Sequence, residues 1–273
     1  LDANAISLER WEDTKQLTKV VALFDIEPSL EQVDFYLNRC LLANIKSVQL
    51  QKLPPTDWVH ENRKEFPAFR IGRFWVHGSH ITNPAPAGLF PLCVDAAQAF
   101  GSGTHATTKG CLLAMQNASR SKRYINRILD LGCGSGILSM AAKSLNPSAA
   151  VIAADYDKIS VETTRQNWHI NQYPKKAFFA LHSDGFSHER LRKKQKFDLI
   201  IANILAKPLK QFAPLIAQNL ASNGRVILSG LLTSQMRDIR AIYRHRHLFV
   251  MQHIQIDAWS TLLLAPKTNY TKR

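Results

Sequence analysis

The sequence has no apolar run of the length a membrane span needs and no charged-then-apolar leader at its start. A spanning helix takes about 20 consecutive apolar residues, so no membrane segment is expected and the protein is read as cytoplasmic. The first residue is Leu1 rather than Met, as expected of a processed or partial chain. Cysteine is scarce: Cys40, Cys93, Cys111 and Cys133 lie far apart, with no C-x-x-C pair. That spacing argues against a disulfide framework or a zinc knuckle and for reduced thiols. Cys133 has no base that the sequence can pair with it, which makes it a small filler rather than a nucleophile. His105 is equally isolated, so no metal is expected. Acid is the remaining shortage: 21 Asp and Glu face 35 Lys and Arg, a formal net charge of +14. The excess falls in runs at 120–127 (RSKRYINR), 190–196 (RLRKKQK), 237–247 (RDIRAIYRHRH) and 267–273 (KTNYTKR). Singly, each reads as a solvated surface. As a set they suit work near RNA, whose phosphates favour basic partners through counterion release.

What is present is enough for a core, since 45% of the 273 residues are hydrophobic, with room for one large domain and a small one. Residues 1–53 read as the small one, an α+β unit. Residues 5–11 (AISLERW) alternate with strand period and 17–24 (LTKVVALF) are β-rich. Pro28-Ser29 introduces a helix over 30–43, with Val33, Tyr36, Leu37, Cys40 and Leu41 at helical spacing and Ser29 and Gln32 placed as a capping box. A strand is expected over 45–50. Strand, strand, helix, strand is a shortened ferredoxin-like arrangement without its first strand and helix. It carries no chemistry, and its expected work is to present a surface to a partner. Pro54-Pro55 opens a linker over 54–85, with a short helix over 57–66, a turn and strand over 69–77 and a loop over 83–88.

The larger domain, 86–273, is organised around Ile128-Leu129-Asp130-Leu131-Gly132-Cys133-Gly134-Ser135-Gly136-Ile137-Leu138. An apolar run ends in an acid, three alternating glycines follow, and an apolar segment opens a helix. Glycine stands where the backbone must turn or a ligand must come close. The dinucleotide fingerprint G-x-G-x-x-G/A needs a small residue where Ile137 stands. The observed D-x-G-x-G-x-G instead resembles the first motif of class I S-adenosylmethionine (SAM) methyltransferases. Glycines also serve plain strand-to-helix turns, so the motif needs context. The periodicity supplies it: a doubly wound α/β sheet with strands at 127–131, 150–154, 178–181, 197–202, 225–229, 248–254 and 259–264. Helices are expected at 137–145, 159–171, 209–220 and 234–243. Seven strands, the last two forming a hairpin, match the class I methyltransferase arrangement; plain dinucleotide folds usually end in another helix–strand repeat.

Ligands of such sheets sit beyond the carboxyl ends of the strands, at the switch point. Asp130 closes the first strand, where it accepts hydrogen bonds from a methionine amine or pins the loop. Gly132 and Gly134 bring backbone to the cofactor. Asp155 closes the second strand, about 20 residues on, where an acid accepts the hydroxyls of a ribose. Asp157 is its rival, though better placed as the N-cap of the next helix. Asp184 follows the third strand and either meets an adenine edge or makes an Asx turn. Asn203 ends the fourth, where its side-chain carbonyl can accept from a substrate amine and align it; an asparagine leading into a helix before Pro208 is the plainer reading. Upstream, Phe100-Gly101-Ser102-Gly103-Thr104-His105-Ala106-Thr107-Thr108 precedes an apolar helix over 111–115. Hydroxyls cap helices, but this stretch holds more small polar groups than a cap needs. It reads as a loop folding over a carboxylate- or sulfonium-bearing cofactor, with Phe100, Gly101, Gly103, Thr104, His105 and Thr108 as candidates.

The blocks FGSGTHATT (100–108), DLGCGSGILS (130–139) and ANILAKPL (202–209) together resemble the PrmA family, the methyltransferases of large-subunit ribosomal protein eleven. So do DW (57–58), RIGRFWV (70–76) and LSGLLTSQ (228–235), so the likeness covers roughly 57 to the C-terminus. The resemblance implies SAM contacts at Thr108, Gly132, Asp155 and Asn203. It also implies methylation of lysine side-chain amines and an N-terminal amine on a large-subunit ribosomal protein, held by the small N-terminal domain; the expected proximity to ribosomal RNA comes from the basic runs alone. The chain departs from the family at Ser102, where threonine is usual, at Asp95-Ala96-Ala97-Gln98, and in its shortened N-terminal unit. Three other functions compete. One is an RNA or small-molecule N-methyltransferase, one a catalytically silent SAM-fold binding module, and one an NAD-dependent oxidoreductase, which Ile137 and the terminal hairpin disfavour.

Overall fold

The computed structural model describes residues 5–10, 18–23, 28–33, 48–50, 67–95, 105–119, 124–192 and 196–267. The chain forms two compact units, Leu1–Asp57 and Trp58–Arg273. In the first, β1 (Ala5–Arg10) and β2 (Thr18–Leu23) pair antiparallel, Ala5 opposite Leu23. The capping box forms as expected: Gln32 N donates to Ser29 Oγ at 3.2 Å and Ser29 N to Gln32 Oε1 at 3.1 Å. Residues 30–33 are helical, and the rest of that expected helix lies outside the described residues. The strand expected over 45–50 is corrected at its described end: residues 48–50 are irregular and exposed. Apolar, β-prone residues make a strand only where a neighbour takes up their N–H and C=O groups. The helix expected over 57–66 also lies outside the described residues.

The second unit begins with a three-stranded sheet of β3 (Phe69–Ile71), β4 (Phe74–His77) and β5 (Phe90–Cys93), in that order. Gly72, at φ +56°, turns β3 back along β4, and β5 joins parallel. Its buried residues Ile71, Phe74, Val76 and Leu92 join the core with Cys111, Leu112 and Met115 of α1 (Ala106–Ser119). Residues 69–77, within the expected linker, are thus part of the second unit's core.

The main sheet alternates strand and helix: β6 (Arg127–Leu131), α2 (Ile137–Leu145), β7 (Ala150–Asp155), α3 (Lys158–Ile170), β8 (Phe178–His182), α4 (Glu189–Arg192), β9 (Phe197–Asn203), α5 (Ala206–Asn219) and β10 (Leu220–Leu232). A single 3₁₀ turn leads to α6 (Met236–Arg244), and the hairpin β11 (Leu248–Ile256) and β12 (Trp259–Pro266) closes the element order. Strand order is β11-β12-β10-β9-β6-β7-β8, with β12 antiparallel to both neighbours. This is the seven-stranded, mixed-edge sheet predicted from the sequence.

Both faces of the sheet's centre are covered, which is why β6, β7 and β9 read as near-continuous apolar runs rather than alternations. Ile128, Val151, Leu199 and Ile201 pack towards α1 and α2, and Leu129, Ile152, Ile200 and Ala202 towards α5 and α6. Each such Ile, Leu or Val side chain, when fully buried, contributes roughly 1.5–3 kcal/mol. Trp168 of α3 stacks on Phe178 of β8 with centroids 3.8 Å apart and rings 5° from parallel. Its Nε1 donates to Pro174 O at 3.2 Å, so α3 is locked to the sheet edge. The chain runs from β6 out through β7 and β8, then returns to β9 on the other side of β6. That reversal opens a crevice at the carboxyl ends of β6 and β9.

Candidate active site

The glycine loop leaves β6 with Gly132, Gly134 and Gly136 all in the left-handed region, at φ +76°, +52° and +80°. Its backbone is held from β7 and α3. Gly132 N donates to Ala154 O at 2.7 Å, and Gly134 N to Asp155 Oδ2 at 2.9 Å. Thr164 Oγ1 donates to Gly134 O at 2.9 Å and Asn167 Nδ2 to Ser135 O at 2.8 Å. A side chain at 132 would run into Ile204. Glycine there admits a neighbouring loop as well as a turn. Gly136 caps α2 without a side-chain bond to the first N–H groups, which leaves those donors and the positive end of the helix for an anion.

Asp155 is buried, and its second oxygen, Oδ1, accepts from Asp157 N at 3.0 Å. Bonds to a carboxylate are worth about 1.5–3 kcal/mol each, so Asp155 fastens the glycine loop to the turn that follows β7. Asp157 is the helix cap, not the rival: its carboxylate accepts from Ile159 N and Ser160 N, both at 3.0 Å. The bond from Ser160 Oγ, followed by those from the two backbone N–H groups, holds its carboxyl below the usual range.

Asp130 differs from expectation in one respect. It does not pin the glycine loop, a task that falls to Asp155, but accepts from Ser139 Oγ of α2 at 2.7 Å through Oδ2. Its other oxygen, Oδ1, is buried and has no partner. Burial pushes its carboxyl up to about 7; the Ser139 bond opposes the rise and nearby Asp155 adds to it. A buried acceptor left empty costs about 1–3 kcal/mol. This one is open to a donor from a ligand.

Asn203 supplies a second empty acceptor. It ends β9, opposite Ser229 of β10. Its Nδ2 points to Thr108 Oγ1 of α1 at 3.5 Å, and its Oδ1 is buried without a partner. The structure therefore brings Thr108 and Asn203, two of the expected cofactor contacts, beside each other. Ser229 ties the same corner: its Oγ donates to Thr107 O at 3.3 Å and lies 2.7 Å from Thr261 Oγ1.

The other candidates fall less centrally. His105 Nδ1 lies 2.8 Å from Thr107 Oγ1, and its ring meets Trp259 edge-on at 4.9 Å, so it shapes the start of α1. Asp184 is exposed in a turn closed by Ser187 N donating to its carbonyl at 3.0 Å. Cys133 is buried, its Sγ accepts from Thr164 Oγ1 at 3.3 Å, and burial raises its thiol well above the ordinary range, as fits a filler. Phe100, Gly101, Gly103 and Thr104 lie outside the described residues. Among the described residues no group of three His, Cys, Asp or Glu could hold a metal ion, and no helix is long and apolar enough to cross a membrane.

Sequence reasoning missed Ser139, Thr164 and Asn167. The signal was available: Ser160, Thr163, Thr164 and Asn167 form a polar stripe on the buried side of α3. Polar groups on a core-facing stripe need partners, and here the loop backbone supplies several of them. The site as a whole offers a glycine-lined backbone, an uncapped helix start and two buried acceptors. These suit a ligand with a carboxylate, an ammonium and a ribose, which are the polar groups of SAM.

The chain matches the family described as Ribosomal protein L11 methyltransferase (PrmA) over residues 2–267. A ribosomal protein L11 methyltransferase of Bradyrhizobium diazoefficiens is 41% identical over 209 residues, covering 76% of this chain and 70% of the relative. One from Caulobacter sp. (strain K31) is 33% identical over 264 residues, covering 97% and 88%. Among solved structures, a ribosomal protein L11 methylase from Lactobacillus delbrueckii subsp. bulgaricus superposes with a TM-score of 0.62 at 25% identity, over 73% of this chain and 98% of that one. A 16S rRNA methyltransferase of T. thermophilus, solved with AdoMet and guanosine, shares the fold at a TM-score of 0.50 and 21% identity, over 62% of this chain and 45% of that one. The match spans nearly the whole sequence, and the chain belongs to the ribosomal protein L11 methyltransferase (PrmA) family.

Proposed function

We propose that this SAM-dependent methyltransferase modifies lysine side-chain amines and the N-terminal amine of large-subunit ribosomal protein eleven, with Asn203 placing the amine. The observation that carries the reading is the buried, unpartnered Oδ1 of Asn203, whose amide nitrogen is turned towards Thr108. SAM, when bound, supplies a methyl carbon made electrophilic by its sulfonium charge. The residues that would hold it are Asp155 at the ribose hydroxyls, Asp130 Oδ1 at the ammonium, and the glycine loop with the start of α2 at the carboxylate.

The substrate amine must arrive neutral, because at a reference pKa of about 10.4 a lysine is mostly protonated at pH 7. Asn203 Oδ1 accepts one N–H of that amine, and this directs the nitrogen lone pair. Alignment of this kind is much of what a direct displacement needs. Asn203 is thus given a positioning role, and desolvation of the amine lowers its pKa. The N-terminal unit is assigned to hold the protein substrate. The basic surface suits work near ribosomal RNA in the cytoplasm, where the buried Cys93, Cys111 and Cys133 stay reduced.

The test is Asn203→Ala. Asn203 is also an expected SAM contact, so calorimetry should find SAM affinity lowered by about tenfold at most, while transfer of radiolabel at saturating SAM to undermethylated ribosomal protein eleven falls about 100-fold or more. Unchanged transfer would remove Asn203 from the reaction. Label appearing on ribosomal RNA instead would make the protein an RNA methyltransferase. SAM binding by the wild type with no acceptor labelled would make it a binding module.

A further inference from the structure

The charge excess is not spread evenly over the second unit. From 206 to 247 there are seven Lys and Arg (207, 210, 225, 237, 240, 244 and 246) and a single acid, Asp238. Arg237, Arg240 and Arg244 stand at i, i+3 and i+7 of α6, on one face of the helix, and all three are exposed, as is Arg246 just beyond it. None of the four has an ion-pair partner among the described residues. Asp238 is already committed, since Lys210 Nζ lies 2.9 Å from its Oδ2. The opposite side of α6 is fastened to the core: Ile239 and Tyr243 are fully buried, and Tyr243 Oη donates to Leu209 O at 2.9 Å. The helix therefore presents a rigid, uncompensated row of guanidinium groups.

We propose that α6 is a docking face for the phosphate backbone of RNA. Three considerations select that occupant. At about 1.5 Å of rise per residue, Arg237 to Arg244 spans about 10.5 Å, a length over which a nucleic acid strand offers several phosphates. Arginine engages phosphate through paired N–H donors, and four arginines with no lysine in α6 and the turn after it suit that geometry. A membrane surface is a poorer match, because a membrane-lying helix needs its apolar face free, and here that face is buried on α5 and the sheet. RNA rather than DNA follows from membership of a family named for a ribosomal protein. The face is built from residues other than those assigned to methyl transfer, and only the activity control rests on the proposed function.

The experiment measures binding of the full chain to a fluorescein-labelled 20-mer of oligouridylate by anisotropy, across a salt series. Wild type is compared with Arg237→Gln/Arg240→Gln/Arg244→Gln and with a charge-matched control, Lys158→Gln/Lys175→Gln/Lys176→Gln, whose lysines are exposed at the start of α3 and in the turn between α3 and β8. The α6 variant should bind at least about tenfold more weakly at 0.1 M salt, and its salt slope should fall by about 2, as expected for three lost contacts to a single strand. The control should change affinity by less than about threefold. Methyl transfer to free ribosomal protein eleven by the α6 variant should match wild type, which also shows that it folds. Equal losses in both variants would mean a diffuse field and overturn the proposal, as would no loss in the α6 variant. Unchanged RNA affinity with weakened capture of the ribosomal protein would make α6 a protein-docking face instead.

Discussion

Asp130→Asn tests whether the site holds a carboxyl that the empty protein tolerates poorly at neutral pH. Asp130 is fully buried, with one oxygen bonded to Ser139 and the other unpartnered, and burial pushes its pKa up to about 7. In the unfolded chain the group titrates near 3.9. Between those values the native state binds more protons than the unfolded state, so stability falls as pH rises through the window. At about 1.36 kcal/mol per pH unit, roughly three units give a ceiling of about 4 kcal/mol lost by pH 8. Asparagine keeps an acceptor for Ser139 and has no charge to desolvate. Urea unfolding without SAM should find the variant more stable than wild type by about 1–4 kcal/mol at pH 8. The gap should shrink steadily towards pH 4, because below the unfolded-state value both chains are neutral at this position. Using the difference between variant and wild type cancels most other titrations. A gap that is absent at pH 8, or that keeps its size at pH 4, would refute the claim that Asp130 carries a costly buried charge. The variant should also bind SAM more weakly, since the acceptor offered to the cofactor's ammonium is lost.

Asp155→Ala removes the acceptor of Gly134 N and Asp157 N. SAM affinity by calorimetry should fall at least about tenfold, with a stability loss of about 2–4 kcal/mol by urea unfolding; unchanged affinity would discard the assigned ribose contact. Gly230→Ala places a methyl group against the backbone of Ile204 at φ +80°. It should lower kcat about 10- to 100-fold while leaving the SAM dissociation constant within about threefold, because it displaces Asn203 rather than the cofactor loop. Asp157→Ala should cost about 1 kcal/mol at pH 7 through the lost cap. That carboxyl is held below its ordinary range, so its contribution is present above the unfolded value and lost as pH falls through the folded one. Thermal unfolding should therefore find the difference gone in strong acid.

The main sheet was legible in the sequence because its central strands are buried on both faces and so spell apolar runs bounded by polar residues, while edge strand β11 alternates half-buried with exposed positions at strand period. Predicted and observed ends agree within a residue or two, save at β10. There residues 220–224 join the strand through a register shift between Leu220 and Arg225, which no local pattern signals. β5 was invisible for a different reason: Pro91 sits inside Phe90–Cys93, and an edge position tolerates it because one side of the strand needs no donor. α1 begins at Ala106, five residues before the expected apolar segment. Thr107, Thr108 and Gly110 are weak helix formers, and packing decides, with Gly110 lying bare against Thr261. Within the site, the strand-end residues Asp130, Asp155 and Asn203 could be read from position alone. Their partners could not, because Ser139, Thr164 and Asn167 are placed by helices whose rotation only the fold decides.

The division of labour at the crevice follows from where glycine occurs. Ile204, the residue after Asn203, is received on one side by bare Gly132 at the end of β6 and on the other by Gly230 of β10, whose added methyl would meet its backbone. The Asn203 amide is thereby set by the ends of three neighbouring strands, β6, β9 and β10, and its nitrogen is turned to Thr108 of α1. The cofactor side is built otherwise: its loop is laced to β7 and α3 by Asp155, Thr164 and Asn167. In the proposed reaction, two rigid anchorages on opposite sides of one crevice let the amine and the methyl donor be aligned independently. A displacement that depends on geometry loses about 100-fold for 1 Å of error, so the acceptor proposed to guide the amine gains from resting on sheet rather than on loop.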